Sequence, residues 1–186
     1  GADGPAGEYA HARLQETAAA ARLLGLPAAP ECWQLPDRGV VYDEALIQRI
    51  QAALQAIQAD VLYAPSPWEL HPDHVATAMA AIEAVRRLPA QQPCRLYLYE
   101  VSAPLRPNTL LDISAVWDTK QQAMAAFASQ EARLPYASMV AALNRFRALT
   151  LQPDTQVAEA FEAYNAADLR AGGPLMIGSE RQRLLV

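Results

Sequence analysis

The sequence predicts an α/β domain of three layers with a mainly parallel sheet, and three observations carry that prediction. Short apolar runs at residues 60–65, 94–100 and 109–113 have strand length. Amphipathic stretches with helical spacing lie between such runs, and proline, glycine or aspartate punctuates the junctions. Strand and helix alternating in this way make parallel neighbours joined by crossover helices, the Rossmann-like arrangement. A chain of 186 residues suits one domain, expected over residues 1–170, with a surface tail at 171–186.

The glycines of Gly1-Ala2-Asp3-Gly4-Pro5-Ala6-Gly7 follow no strand and are spaced GxxGxxG, so a loop fits better than a dinucleotide site. Residues 9–24 form an alanine-rich helix with Leu14, Ala18, Ala21 and Leu24 on one face and Gly25 as its C′ residue. Glu31-Cys32-Trp33-Gln34-Leu35 reads as a strand, ended by the turn Pro36-Asp37-Arg38-Gly39. Asp43 caps a helix to residue 58 whose buried stripe is Leu46, Ile47, Ile50, Leu54 and Ile57. After the strand at 60–65, Pro72 opens a helix with the stripe Val75, Met79, Ile82 and Val85, which stops before Pro89. Ser114 is placed to cap a helix to about residue 129, and residues 136–150 make another. Residues 157–164 contain apolar residues without a clear period.

Composition narrows the function. The chain is 52% apolar, with net charge -5 and no basic stripe, which excludes nucleic acid as the natural partner and favours a small molecule. No apolar run approaches membrane-spanning length, and a cytoplasmic protein is expected. Cys32 and Cys94 lack CxxC spacing and are expected as buried thiols.

The chemistry concentrates in Ser66-Pro67-Trp68-Glu69-Leu70-His71-Pro72-Asp73-His74, which follows a strand, opens a helix and holds two of the three histidines. Ligands collect past the carboxyl ends of strands in open α/β sheets, and the helix N-terminus favours negative charge. His-x-x-His at a helix start suits two imidazoles near one metal, or simply capping and exposed histidines. Asp73 between them serves either as an acceptor orienting an imidazole or as a first-turn carboxylate facing the helix dipole. Trp68 and Glu69 read as pocket-rim residues, with Trp68 equally suited to a packing anchor. Asp37, at a predicted strand end, is either a local backbone acceptor of its turn or a ligand contact on the same rim.

The run from Pro67 to Ala76 resembles the second signature, HPDH, of the PIG-L/LmbE family of zinc-dependent N-deacetylases. Arg13-x-x-Glu16 with Leu23-Leu24-Gly25 resembles its RxxE…LG helix, and Leu35-Pro36-Asp37-Arg38-Gly39 its LPDxG turn. Leu111-Asp112-Ile113-Ser114 with Lys120, Ala123 and Ser129-Gln130 is similar to its DIS…K..A…SQ segment. The resemblance implies zinc-assisted removal of an acetyl group from an N-acetylglucosamine-type sugar. Carried over position by position, His74 is a zinc ligand, His71 stabilises the oxyanion or protonates the leaving amine, and Asp73 tunes or orients His71. Arg13 and Asp37 match positions that reach sugar hydroxyls. Phe127 departs from the family pattern, which has histidine in many relatives.

The family's first signature, HPDDE, which supplies further ligands and the base, does not occur in this sequence. His11, near a helix start without adjacent carboxylates, is no substitute. One protein ligand falls short of the three a catalytic zinc normally takes. The expectation is therefore an enzyme completed by a missing N-terminal segment or fused domain. The alternative is a non-catalytic sugar- or partner-binding relative, or a truncated fragment.

Overall fold

A computed structural model describes residues 5–172 of the chain. In order these form α1 (Pro5–Leu23), α2 (Glu44–Ala56), β1 (Val61–Pro65), α3 (Pro72–Arg86), β2 (Arg95–Tyr99) and β3 (Thr109–Asp112). A 3-10 turn (Ser114–Val116), α4 (Trp117–Ala125), α5 (Ala128–Glu131), α6 (Tyr136–Ala148), β4 (Ala158–Asn165) and α7 (Ala166–Arg170) follow. The chain divides into two compact units, Gly1–Gln34 with Leu110–Glu159, and Leu35–Thr109 with Ala160–Val186.

The fold is mixed α/β with a four-stranded sheet of order β1-β2-β4-β3. The sheet corrects the expectation of mainly parallel pairing. β1 and β2 are parallel, Val61 opposite Arg95 through Pro65 opposite Tyr99, but β4 runs antiparallel to β2. β4 is the run that showed no period. Its sequence explains why: Glu159 and Glu162 are three residues apart and fall on opposite faces, so polar and apolar residues do not alternate, and Ala158, Ala160, Phe161 and Glu162 are all buried. Asn108 extends the pairing beside it, its side chain accepting from Ala163 N–H and donating to Ala163 C=O.

In the second unit α3 packs against β1, β2, α2 and α7. Its second half is buried on nearly every side, with Ala78, Ala80, Ala81, Ile82, Ala84 and Val85 all in the core. Alanine's small side chain lets neighbouring elements approach closely, which replaces the single stripe expected; Val75 and Met79 are only half-buried. Glu83, buried at the far end, accepts from Arg86 and Arg87, and Arg87 also reaches Glu44 at the start of α2. β1 is an edge strand. Tyr63 on it is exposed and stacks on Tyr97, with ring centroids 5.3 Å apart.

Local chemistry sets the helix ends. Asp43 caps α2 by accepting from Leu46 N–H. α1 closes in a Schellman motif, Leu26 N–H to Ala21 C=O and Gly25 N–H to Arg22 C=O, with Gly25 at φ +72°. The end of α2 repeats the motif with Gln58 in the glycine's place at φ +48°. Ile57 is then turned outward and 77% exposed, against the expectation that it is buried.

Three further expectations are corrected. Residues 31–35 form no strand: Gln34 sits at φ +53°, which breaks an extended run, and most of the segment is exposed. Cys32 is an exposed thiol, whereas Cys94 is buried as expected, and both are free. Ser114 does not cap a helix; its Oγ accepts from Gln156 and Val157 N–H, and the predicted helix to 129 is interrupted between α4 and α5. The segment from 173 lies outside the described residues. No helix among the described residues is long and apolar enough to cross a membrane.

Candidate functional site

The loop between β1 and α3 begins with a buried anchor. Ser66 donates its N–H to Tyr99 C=O, and its Oγ accepts from Trp68 N–H. Parallel β1 and β2 end at the same edge, so the loop after β1 lies beside residues 101–103 after β2. Glu69 joins the two loops. Its fully buried carboxylate accepts from the N–H groups of Val101 (2.8 Å), Ser102 (2.9 Å) and Ala103 (3.3 Å) and from Ser102 Oγ (2.6 Å). Burial alone pushes the Glu69 carboxyl up, but the hydrogen bonds from Ser102, Val101 and Ala103 together hold it below the usual carboxylate range. Burial, and then the Glu69 charge, push the Tyr99 phenol up.

His71 and His74 are brought together at the start of α3, with ring centroids 5.2 Å apart. Their neighbours assign the ring protons oppositely. His71 is the N-cap of α3, and its Nδ1 accepts from Asp73 N–H at 3.3 Å. A neutral His71 therefore carries its proton on Nε2, which faces Asp37 Oδ1 at 3.6 Å. His74 Nδ1 instead faces Glu69 Oε2 at 3.4 Å. An ionised carboxylate only accepts, so the His74 proton belongs on Nδ1 and Nε2 keeps a lone pair.

The Asp73 carboxylate, unlike its backbone N–H, makes no hydrogen bond to the His71 ring, lying 3.9 Å from Nδ1. It accepts from Arg38 N–H (2.8 Å) and Val40 N–H (3.1 Å), latching the 36–39 turn to α3. That turn is closed by Gly39 N–H to Pro36 C=O, with Arg38 at φ +57°. A Cβ at Gly39 would come within 2.9 Å of Pro36 Cβ, so the turn has no room for another residue there. The latch brings Asp37 beside His71 and leaves its side chain 86% exposed. Asp37, His71 and Asp73 thus offer an imidazole nitrogen and two carboxylate oxygens within 4.8 Å of one another, a cluster able to approach a metal ion. His74 is not part of that cluster. A depression of about 290 Å³ lies elsewhere, lined by Gln55, Gln58, Asp60 and the 89–93 loop, and involves none of these residues.

Arg13 belongs to the first unit. It pairs with Glu16 at 3.3 Å and lies 5.1 Å from the Phe127 ring centroid, so the phenyl ring at that position gives the guanidinium a face to rest on. Glu16 in turn accepts from Ser129 N–H and Oγ, both at 2.7 Å, and those bonds hold its carboxyl below the usual range. Lys120 bridges Asn144 and Glu159, and Asp112 accepts from Ser114 N–H and Thr155 Oγ1. The conspicuous polar residues of the 111–130 segment therefore tie this unit together. His11 contacts Gln15 on α1.

Glu69 and Ser102 are the residues that reading the sequence undervalued. The available signal was positional: each follows one of two strands that pair in parallel, so both lie on one sheet edge.

Residues 1–85 match the family model described as GlcNAc-PI de-N-acetylase, PIG-L. Among solved structures, the chain is similar to a conserved protein of Thermus thermophilus, at 27% identity and TM-score 0.71, covering 87% of this chain and 74% of that one. It is similar to GalB, the 4-carboxy-2-hydroxymuconate hydratase of Pseudomonas putida, at 25% identity and TM-score 0.68 over the same shares. The fold is also that of an N,N'-diacetylchitobiose deacetylase from Pyrococcus horikoshii, at 24% identity and TM-score 0.65, covering 90% of this chain and 68% of that one. The match over residues 1–85 thus makes that part of the chain similar to PIG-L, and the chain shares its fold with these solved structures, a sugar deacetylase among them.

Proposed function

We propose that the chain is a zinc-dependent N-deacetylase that hydrolyses the acetamide of an N-acetylglucosamine-type sugar conjugate in the cytoplasm. The observation that carries this reading is that His71 and His74, side by side at one helix start, have opposite partners at Nδ1, a backbone N–H and a buried carboxylate. The family match over residues 1–85 supports it.

The donor chemistry fits zinc at His74. A ligating imidazole needs a lone pair at one nitrogen and an acceptor for the other, and Glu69 supplies the acceptor. Asp37 adds an exposed carboxylate on the neighbouring turn, while both Asp73 oxygens already hold backbone N–H groups. Further ligands, expected from an HPDDE-like segment, would complete the set of three. When bound, zinc supplies Lewis acidity toward the acetyl carbonyl and the attacking water.

The chain's own residues account for the rest. In the overall reaction water adds to the carbonyl, the C–N bond breaks, and acetate and a free amine leave. His71 Nε2–H donates to the oxygen on which charge develops, or delivers its proton to the departing nitrogen. If His71 carries both protons, Asp73 Oδ2, 3.9 Å from Nδ1, is placed to offset the imidazolium charge. Asp37 and Arg13 are the proposed contacts to sugar hydroxyls. Acetate release from N-acetylglucosamine conjugates, lost in His74→Ala, tests the assignment; unchanged release in that variant overturns it.

A second reading is hydration of a substrate of the 4-carboxy-2-hydroxymuconate type, favoured by the 25% identity with GalB over 87% of the chain. Water addition to that compound without acetate release from sugars would select it. Saturable sugar binding with neither turnover would select the non-catalytic alternative.

A further inference from the structure

Glu69 is held in place without any help from His74. A buried carboxylate is costly unless its lone pairs are filled, and here residues 101–103 and the Ser102 hydroxyl fill them. The result is a fixed acceptor at a fixed point, with Oε2 directed at His74 Nδ1. We propose that Glu69 is the positioning residue that sets the tautomer and ring plane of His74, with the Ser102 loop as its clamp, so that Nε2 is presented to a metal. The metal part of this inference rests on the zinc reading above; the tautomer part does not.

Glu69→Gln separates positioning from packing. The loop N–H groups claim the amide oxygen, which turns the amide NH2 toward His74. A donor then faces Nδ1, and the ring proton moves to Nε2, where it blocks ligation. The experiment is ¹⁵N NMR of the His74 ring in metal-free protein, together with zinc affinity by competition with a chromophoric chelator. Expected are Nδ1–H in the wild type, Nε2–H in Glu69→Gln, and roughly 10- to 100-fold weaker zinc binding in the variant. Ser102→Ala keeps the backbone donors and is expected to retain the wild-type tautomer. A wild-type His74 protonated on Nε2 overturns the proposal without any variant. Wild-type tautomer and zinc affinity in Glu69→Gln overturn it as well. A wild type that takes up no zinc yet shows the two predicted tautomers removes the zinc reading and leaves the control of His74 by Glu69 standing.

Discussion

His71 and His74 are three residues apart, share a helix turn, and are made chemically different by what touches Nδ1. For His71 it is a backbone donor; for His74 it is a buried carboxylate. The account therefore predicts that His71→Ala lowers kcat by about 10²- to 10⁴-fold while zinc affinity stays within a few-fold, measured by acetate release and chelator competition. A matching loss of zinc in His71→Ala would place that residue among the ligands. Asp73→Ala should act differently. It orphans the N–H groups of Arg38 and Val40 and frees a turn whose Arg38 is held at positive φ, at a cost of about 1–3 kcal/mol by chemical denaturation. The two histidines and their setting after a strand were visible in the sequence because proline, aspartate and a preceding apolar run mark a helix start. What stayed hidden was which loop would lie opposite. Glu69 and Ser102 are 33 residues apart and meet only because β1 and β2 pair in parallel.

Element boundaries followed local chemistry wherever a side chain or a glycine enforced them. Asp43, Pro72 and Gly25 each act where their residue type predicts, and the strands at 61–65, 95–99 and 109–112 lie within their expected runs. β4 was illegible because Glu159 and Glu162 fall on opposite faces of the strand, which breaks the alternation that marks a half-buried one. The 31–35 segment misled in the opposite way: its composition suits a strand, but Gln34 adopts a left-handed conformation. The same conformation at Gln58 makes a prediction. A side chain at positive φ is about 1 kcal/mol or more worse than glycine, so Gln58→Gly should stabilise the protein by about 1 kcal/mol in urea titrations. A loss of stability would mean that the Schellman closure of α2 is not as described.

Across the molecule, carboxylates serve mainly as acceptors that hold segments together. Glu16, Glu69, Glu83 and Asp112 all have carboxyls held below the ordinary range by hydrogen bonds, chiefly from Ser129, Ser102, Arg86 and Ser114 respectively; for Glu69 burial is the largest single effect and pushes upward, and the bonds from Ser102, Val101 and Ala103 together outweigh it. A depressed folded-state pKa contributes stability that is present above the ordinary carboxylate value, near 4.5 for glutamate, and is lost as pH falls through the folded value. Thermal melts should therefore be flat from neutral pH to about 5 and then fall steeply on acidification. Replacing Glu16 with Gln should reduce that acid slope. The central claim is that metal-dependent deacetylation occurs at the His71 and His74 site. Its most direct measurement is acetate release from N-acetylglucosamine conjugates by the full-length protein as zinc is titrated, with the wild type beside His74→Ala. The account predicts release that rises to saturation with zinc in the wild type and is lost in the variant; no release from the wild type, or equal release from both, would contradict it.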